Sequence, residues 1–167
     1  MSTINTTTPA STAQPQGRAW LKIVAVTLPL ALLTMLTSPQ APLGGFWGPT
    51  SSMVQPNGLQ TTLFILLSAV QALAFGLGIA FLIFGYSAVR ALNPQRPVLA
   101  LAAHLAVAWQ LINWWPHSNL HATTGMDDLN RLLAIEYGFH ITLIISGLII
   151  AYFLLAAFRA RISGSRS

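Results

Sequence analysis

Leu59–Val89, LQTTLFILLSAVQALAFGLGIAFLIFGYSAV, contains no charged residue and stops at Arg90. As a helix it would be about 46 Å long, more than a hydrocarbon core of about 30 Å. Tilt or protrusion at one end absorbs the excess. A helix apolar on every face over that length has lipid, not water, as its solvent. This run predicts a membrane-spanning helix, and the rest of the chain is read outward from it. Ser68, Ala72, Gly76 and Ala80 recur within it every four residues. That spacing keeps small side chains roughly on one face, where another helix backbone can approach closely. The stripe predicts a packing seam, and other membrane subunits are candidate partners for it. Gly76-Leu77-Gly78 lacks the preceding strand and the remaining glycine of a dinucleotide fingerprint.

Composition agrees with the bilayer as solvent. Charged residues make up 7% of the 167 and hydrophobic residues 54%, against about 25% charged in soluble proteins. The net charge of +5 comes from Lys and Arg that flank apolar runs in ones and twos. They form no patch, so a lipid bilayer is the expected partner and nucleic acid is not. The chain has no cysteine. Disulfides, thiolate zinc sites, iron–sulfur clusters, blue-copper centres and covalent c-type haem are thereby excluded. Sites built from imidazole and carboxylate are not.

Upstream, residues 1–17 are rich in Ser, Thr, Pro and Gln and read as a disordered cytoplasmic tail. A first apolar run, about 19–37, follows Arg18, includes Lys22 and contains Pro29. It reads as a retained, kinked span rather than a cleaved signal, because Pro39 and Pro42 directly follow the small residues Ser38 and Ala41. Residues 38–59 form an uncharged Pro/Gly-rich loop whose Phe46 and Trp47 suit the lipid–water interface.

Downstream, Ala91–Arg96 is a tight turn around Pro94, and Pro97 suits the opening of the next span, 98–115. That span closes on Trp114-Trp115, after which Pro116 breaks or kinks the chain. A polar connection, 116–131, leads to the last span, 132–158, with Asp127 or Thr124 as its expected N-cap. Arg159 and Arg161 stop it, and residues 162–167 form a flexible tail. The expectation is an all-α integral membrane bundle of four transmembrane helices within one domain, 18–161.

Four crossings sort the charges. Arg18, Lys22, Arg90, Arg96, Arg159, Arg161 and Arg166 share one side, and only Arg131 is on the other. Lys/Arg bias places the first group in the cytoplasm. Both termini are then cytoplasmic, and the 38–59 and 116–131 loops are extracytoplasmic. The expected location is the cytoplasmic membrane of a prokaryote.

All three acidic residues and three of the four histidines fall between His117 and His140. His117 and His121 are four residues apart, as are Glu136 and His140. On a helix that spacing stacks two side chains on one face, and it lets two ligands converge on one ion. A short connection can bring one pair over the other. His117, His121, Glu136 and His140 are therefore candidate metal ligands, with Met126, Asp127 and Asp128 as extras. Nitrogen and oxygen donors suit Zn, Fe, Mn or Cu. The competing reading is ordinary hydrogen bonding at the interface, with Asp127 and Asp128 opening a helix favourably against its dipole.

His104 lies well inside the third span. Helices three and four are antiparallel, so His104 and His140 form a candidate intramembrane pair for haem or a chlorophyll-type cofactor. The alternative is a buried histidine bonded to a neighbouring helix. Ser118 lacks any flanking elbow motif, so nucleophilic catalysis has little support. Three functions stay open: a redox or other metal-dependent role outside the cytoplasm, a non-catalytic accessory subunit of a larger membrane complex, and a small transporter.

Overall fold

The computed structural model describes residues 17–50, 56–125 and 128–164. These form α1 (Gly17–Leu36), α2 (Gly58–Phe84), α3 (Tyr86–Leu92), α4 (Pro97–Ile112), α5 (Trp114–Thr123) and α6 (Leu129–Gly164), with one 3-10 turn at Gly44–Trp47. The fold is all-helical, with no strand among the described residues. The tails expected at 1–17 and 162–167 lie outside the described residues, apart from the ends of α1 and α6.

Three helical segments are long and apolar enough to cross a membrane: Gly58–Phe84, Pro97–Thr123 and Leu129–Ile162. The first apolar run, Trp20–Leu36, is shorter. Pro29 is accommodated inside α1.

The packing is the inverse of a soluble core. Buried positions are mostly small, such as Ala72, Ala80, Ala100, Ala103, Ala106 and Ala108, and among the described residues no large side chain is fully buried. Large apolar side chains such as Leu63, Phe64, Ile83, Ile144, Leu148 and Leu155 point outward. Helices thus meet by close backbone approach, as they do where lipid removes the hydrophobic drive to bury bulk. The exposed apolar faces suggest contact with a bilayer.

The small-residue stripe of α2 serves this chain itself. Ala72, Gly76 and Ala80 are buried, and a Cβ on Gly76 would collide with the Thr27 carbonyl oxygen of α1. At the neighbouring Gly78 a Cβ would come within 2.7 Å of Ile112 Cγ1. Only Ser68 of the stripe is exposed. At Gly76 the seam is therefore occupied by α1 of the same chain.

The helices stand in sequence: α1 packs on α2, α2 on α4 and α4 on α6. Polar contacts fix the register of α4 on α6: Trp109 Nε1 donates to Thr142 Oγ1 at 3.0 Å, and Gln110 Nε2 to Leu143 O at 2.9 Å and Ser146 Oγ at 2.7 Å. Further along, Arg96 Nη1 meets Tyr152 OH at 3.3 Å. The two helices are therefore antiparallel.

Two breaks matter for function. The first, at Gly85, separates α2 from α3, and the Leu82 carbonyl one turn before it takes His104 as a partner. The second follows from Pro116, which has no N–H to give the Ile112 carbonyl four residues back. The helix is interrupted there but resumes at once, with His117 N donating to Asn113 O at 3.2 Å. The expected 116–131 loop is therefore helical over 116–123 and again from 129.

Candidate metal centre

α5 and α6 are joined by a short connection. Thr124 ends α5 with its hydroxyl on Leu120 O at 2.8 Å, so it does not cap α6. Asp128 does, its Oδ1 accepting from Arg131 N at 3.0 Å. One Asp128 oxygen is thereby engaged with the backbone, and the three-residue ligand group does not include Asp128. Met126 and Asp127 lie outside the described residues.

Because α5 continues past Pro116, His117 and His121 sit one turn apart on a real helix, their ring centroids 4.6 Å from each other. α6 presents Glu136 to the same place. Its Oε1 lies 2.8 Å from His121 Nε2. One donor atom each from His117, His121 and Glu136 falls within 4.8 Å of the others. Ligands about 2.1 Å from a tetrahedral ion stand about 3.4 Å apart, so a small side-chain adjustment brings the three into a coordination sphere. His117, His121 and Glu136 could hold a metal ion.

The surroundings keep the group in place. His117 stacks on Phe139, with ring centroids 3.7 Å apart and planes 13° from parallel. Trp114 in turn meets Phe139 edge-on at 5.0 Å. The Nδ1 atom of His117 is buried and makes no hydrogen bond among the described residues. Beside it, Ser118 Oγ accepts from Gln71 Nε2 at 2.8 Å, tying α5 to α2. Trp115 packs edge-on to Phe75 at 5.0 Å and to Trp47 at 5.5 Å. The tryptophans expected as a membrane anchor thus split: Trp115 is half-buried in an aromatic cluster and Trp114 supports the site.

His140 stands outside the ligand group. Its ring is 6.0 Å from that of His117, and its side chain is 58% exposed. Its Nδ1 lies 2.9 Å from Glu136 Oε2 and 2.9 Å from the Glu136 carbonyl. With a proton on Nδ1 it donates to the carboxylate oxygen turned away from His121. Such a partner orients a ligating carboxylate from behind.

His104 is elsewhere. It is 3% exposed, its Nε2 lies 3.1 Å from Leu82 O, and the rings of Phe81 and Tyr86 flank it at 5.0 and 5.7 Å. Thirteen residues along α4 and α5 separate it from His117, about 20 Å of helix, and His140 is beside His117. The register explains the separation: α6 passes His104 with residues beyond Ser146, not with His140. The expected His104–His140 pair is not assembled, and bis-imidazole haem ligation loses its geometry.

Sequence reasoning missed Phe139 and Gln71. Phe139 was within reach, since Glu136, Phe139 and His140 share a helix face at i, i+3 and i+4. Gln71 is a polar residue in an otherwise apolar span, a signal that a partner is near. No protein-family model, curated protein or solved structure matches this chain.

Proposed function

We propose that this protein is a four-span membrane protein that binds one transition-metal ion between α5 and α6, through His117, His121 and Glu136, and uses it in a redox or other metal-dependent role outside the cytoplasm. The observation that carries the reading is the convergence of three donor atoms, from two helices, within 4.8 Å. Two imidazoles and a carboxylate supply three protein ligands, and three ligands leave a position for water or a substrate, as catalytic sites do. Nitrogen and oxygen donors admit Zn, Fe, Mn and Cu. Bound Zn would activate water, and Fe or Cu would exchange electrons.

Metal analysis of the detergent-purified protein at near-neutral pH tests the site. The expected result is one transition-metal ion per chain, absent from Glu136→Gln. No metal above trace after loading with each of the four ions rejects it.

The topology rests on the charge bias. Seven Lys and Arg residues fall on one side of four spans and Arg131 on the other, which makes both termini cytoplasmic and puts the metal site at the outer face. The cysteine-free chain offers a clean background for labelling. A membrane-impermeant maleimide applied to intact cells should modify Asn130→Cys and spare Gln95→Cys. The reverse pattern overturns the arrangement.

A further inference from the structure

At the end of α6 remote from the histidines, a cavity of about 380 Å³ opens between the turn after α3 and the last turns of α6. Asn93, Arg96, Tyr152 and Arg159 line it. Every one of these side chains offers a hydrogen-bond donor. Arg96 uses one N–H on Tyr152 OH at 3.3 Å, and the rest of its guanidinium has no bond among the described residues. Tyr152, by accepting from Arg96, keeps its own O–H for another acceptor. Asn93 is 2% exposed, and its amide nitrogen is buried without a partner. The adjacent N-terminus of α4 has no side-chain cap, which leaves the positive end of its dipole facing the same region. Among the described residues, the carboxylate side chains of Asp128 and Glu136 belong to the first turns of α6.

We propose that this cavity binds a phosphate group, with Arg96 and Arg159 as the charged ligands and Tyr152 as a hydroxyl donor. Guanidinium forks match the geometry of phosphate oxygens and bind them with two bonds at once. Basic pockets between membrane helices on the arginine-rich side are suited to anionic lipid headgroups. A free phosphate would meet the same donors. The site is independent of the metal centre, and its failure would leave the metal reading untouched.

The test uses the full chain purified in detergent and stripped of lipid, then mixed with micelles of phosphatidylglycerol or of phosphatidylcholine. Native mass spectrometry counts the lipid retained. Phosphatidylglycerol should be held preferentially at about one per chain. Arg96→Gln and Arg159→Gln should each weaken retention by about ten- to hundredfold, and Tyr152→Phe by less. Arg96→Lys keeps the charge and should lose less than Arg96→Gln, which keeps the test valid if the glutamine variant folds poorly. Arg131→Gln, at the other end, should change nothing. Inorganic phosphate is titrated as a competitor. Displacement at millimolar concentration identifies a free anion as a ligand of the site, whereas retention in its presence identifies the lipid headgroup. Retention of neither lipid together with no phosphate binding overturns the proposal, as does retention indifferent to Arg96→Gln and Arg159→Gln.

Discussion

The two ends of the α4–α6 pair carry opposite chemistry. One gathers His117, His121, Glu136 and His140, acceptors and metal donors held by stacking on Phe139. The other gathers Asn93, Arg96, Tyr152 and Arg159, a set of hydrogen-bond donors around a cavity. Between them the helices touch through small residues and a few polar contacts centred on Gln110. A soluble protein this size would pair its acids with its bases. Here Asp128 and Glu136 lie toward the start of α6, and Arg96 meets Tyr152 well along it.

The largest effect should come from removing two ligands of the first set. His121→Ala with Glu136→Gln should reduce metal affinity by more than the ten- to hundredfold typical of an outer partner, read by metal content after dialysis against a weak chelator. Lipid retention at the arginine end should be unchanged in the same sample. A parallel loss at both ends would mean that the substitutions disturb the fold and that the two ends are not separate sites. Next, His140→Ala removes the hydrogen bond behind Glu136. About ten- to hundredfold weaker metal binding is expected, with the ion still bound at saturating concentration. If His140→Ala abolishes binding as completely as the double variant, His140 is itself a ligand and the ion sits closer to α6 than the geometry indicates.

How much of this contrast could be read without coordinates depended on range. Length and hydropathy marked the apolar runs because a bilayer imposes a single dimension on every helix that crosses it. The i, i+4 spacing of His117/His121 and Glu136/His140 was equally plain, and three of those four residues do meet. What stayed hidden was tertiary register. Nothing local shows that Gln110 faces Ser146, and that pairing decides that His140 stands beside His117 and not beside His104. Pro116 misled for a related reason. A proline usually ends a helix, but here it costs one hydrogen bond at Ile112 and the chain stays helical to Thr123. The stripe Ala72/Gly76/Ala80 was legible as a seam, but not as one that meets α1 at Gly76.

Two smaller effects sharpen the difference between the ends. Asp128 caps α6 just before it delivers Glu136. Asp128→Ala should cost about 1 kcal/mol of local helix stability. Hydrogen exchange should report it as faster amide exchange in the first turn of α6, with unchanged exchange around Tyr152. Uniform acceleration along α6 would show that the helix responds as one body and that its ends are energetically coupled.

The smallest effect is expected in the middle. Gln110 Nε2 bonds both Leu143 O and Ser146 Oγ, inside a segment that has no water to offer instead. The intuition that such a bond must be very strong in lipid is not met by measured membrane pairs, which average about 0.6 kcal/mol and reach about 1.7. Gln110→Leu removes the donor, and Ser146 keeps its own bond to Leu143 O at 2.9 Å, so no buried hydroxyl is stranded. A loss of about 0.6 kcal/mol in thermal or denaturant unfolding in detergent follows. Metal content and lipid retention should both persist, because each site is built from residues of its own end. If Gln110→Leu instead lowers both, the register of α4 on α6 is what holds the ends apart, and the contact at mid-span governs two sites it does not touch.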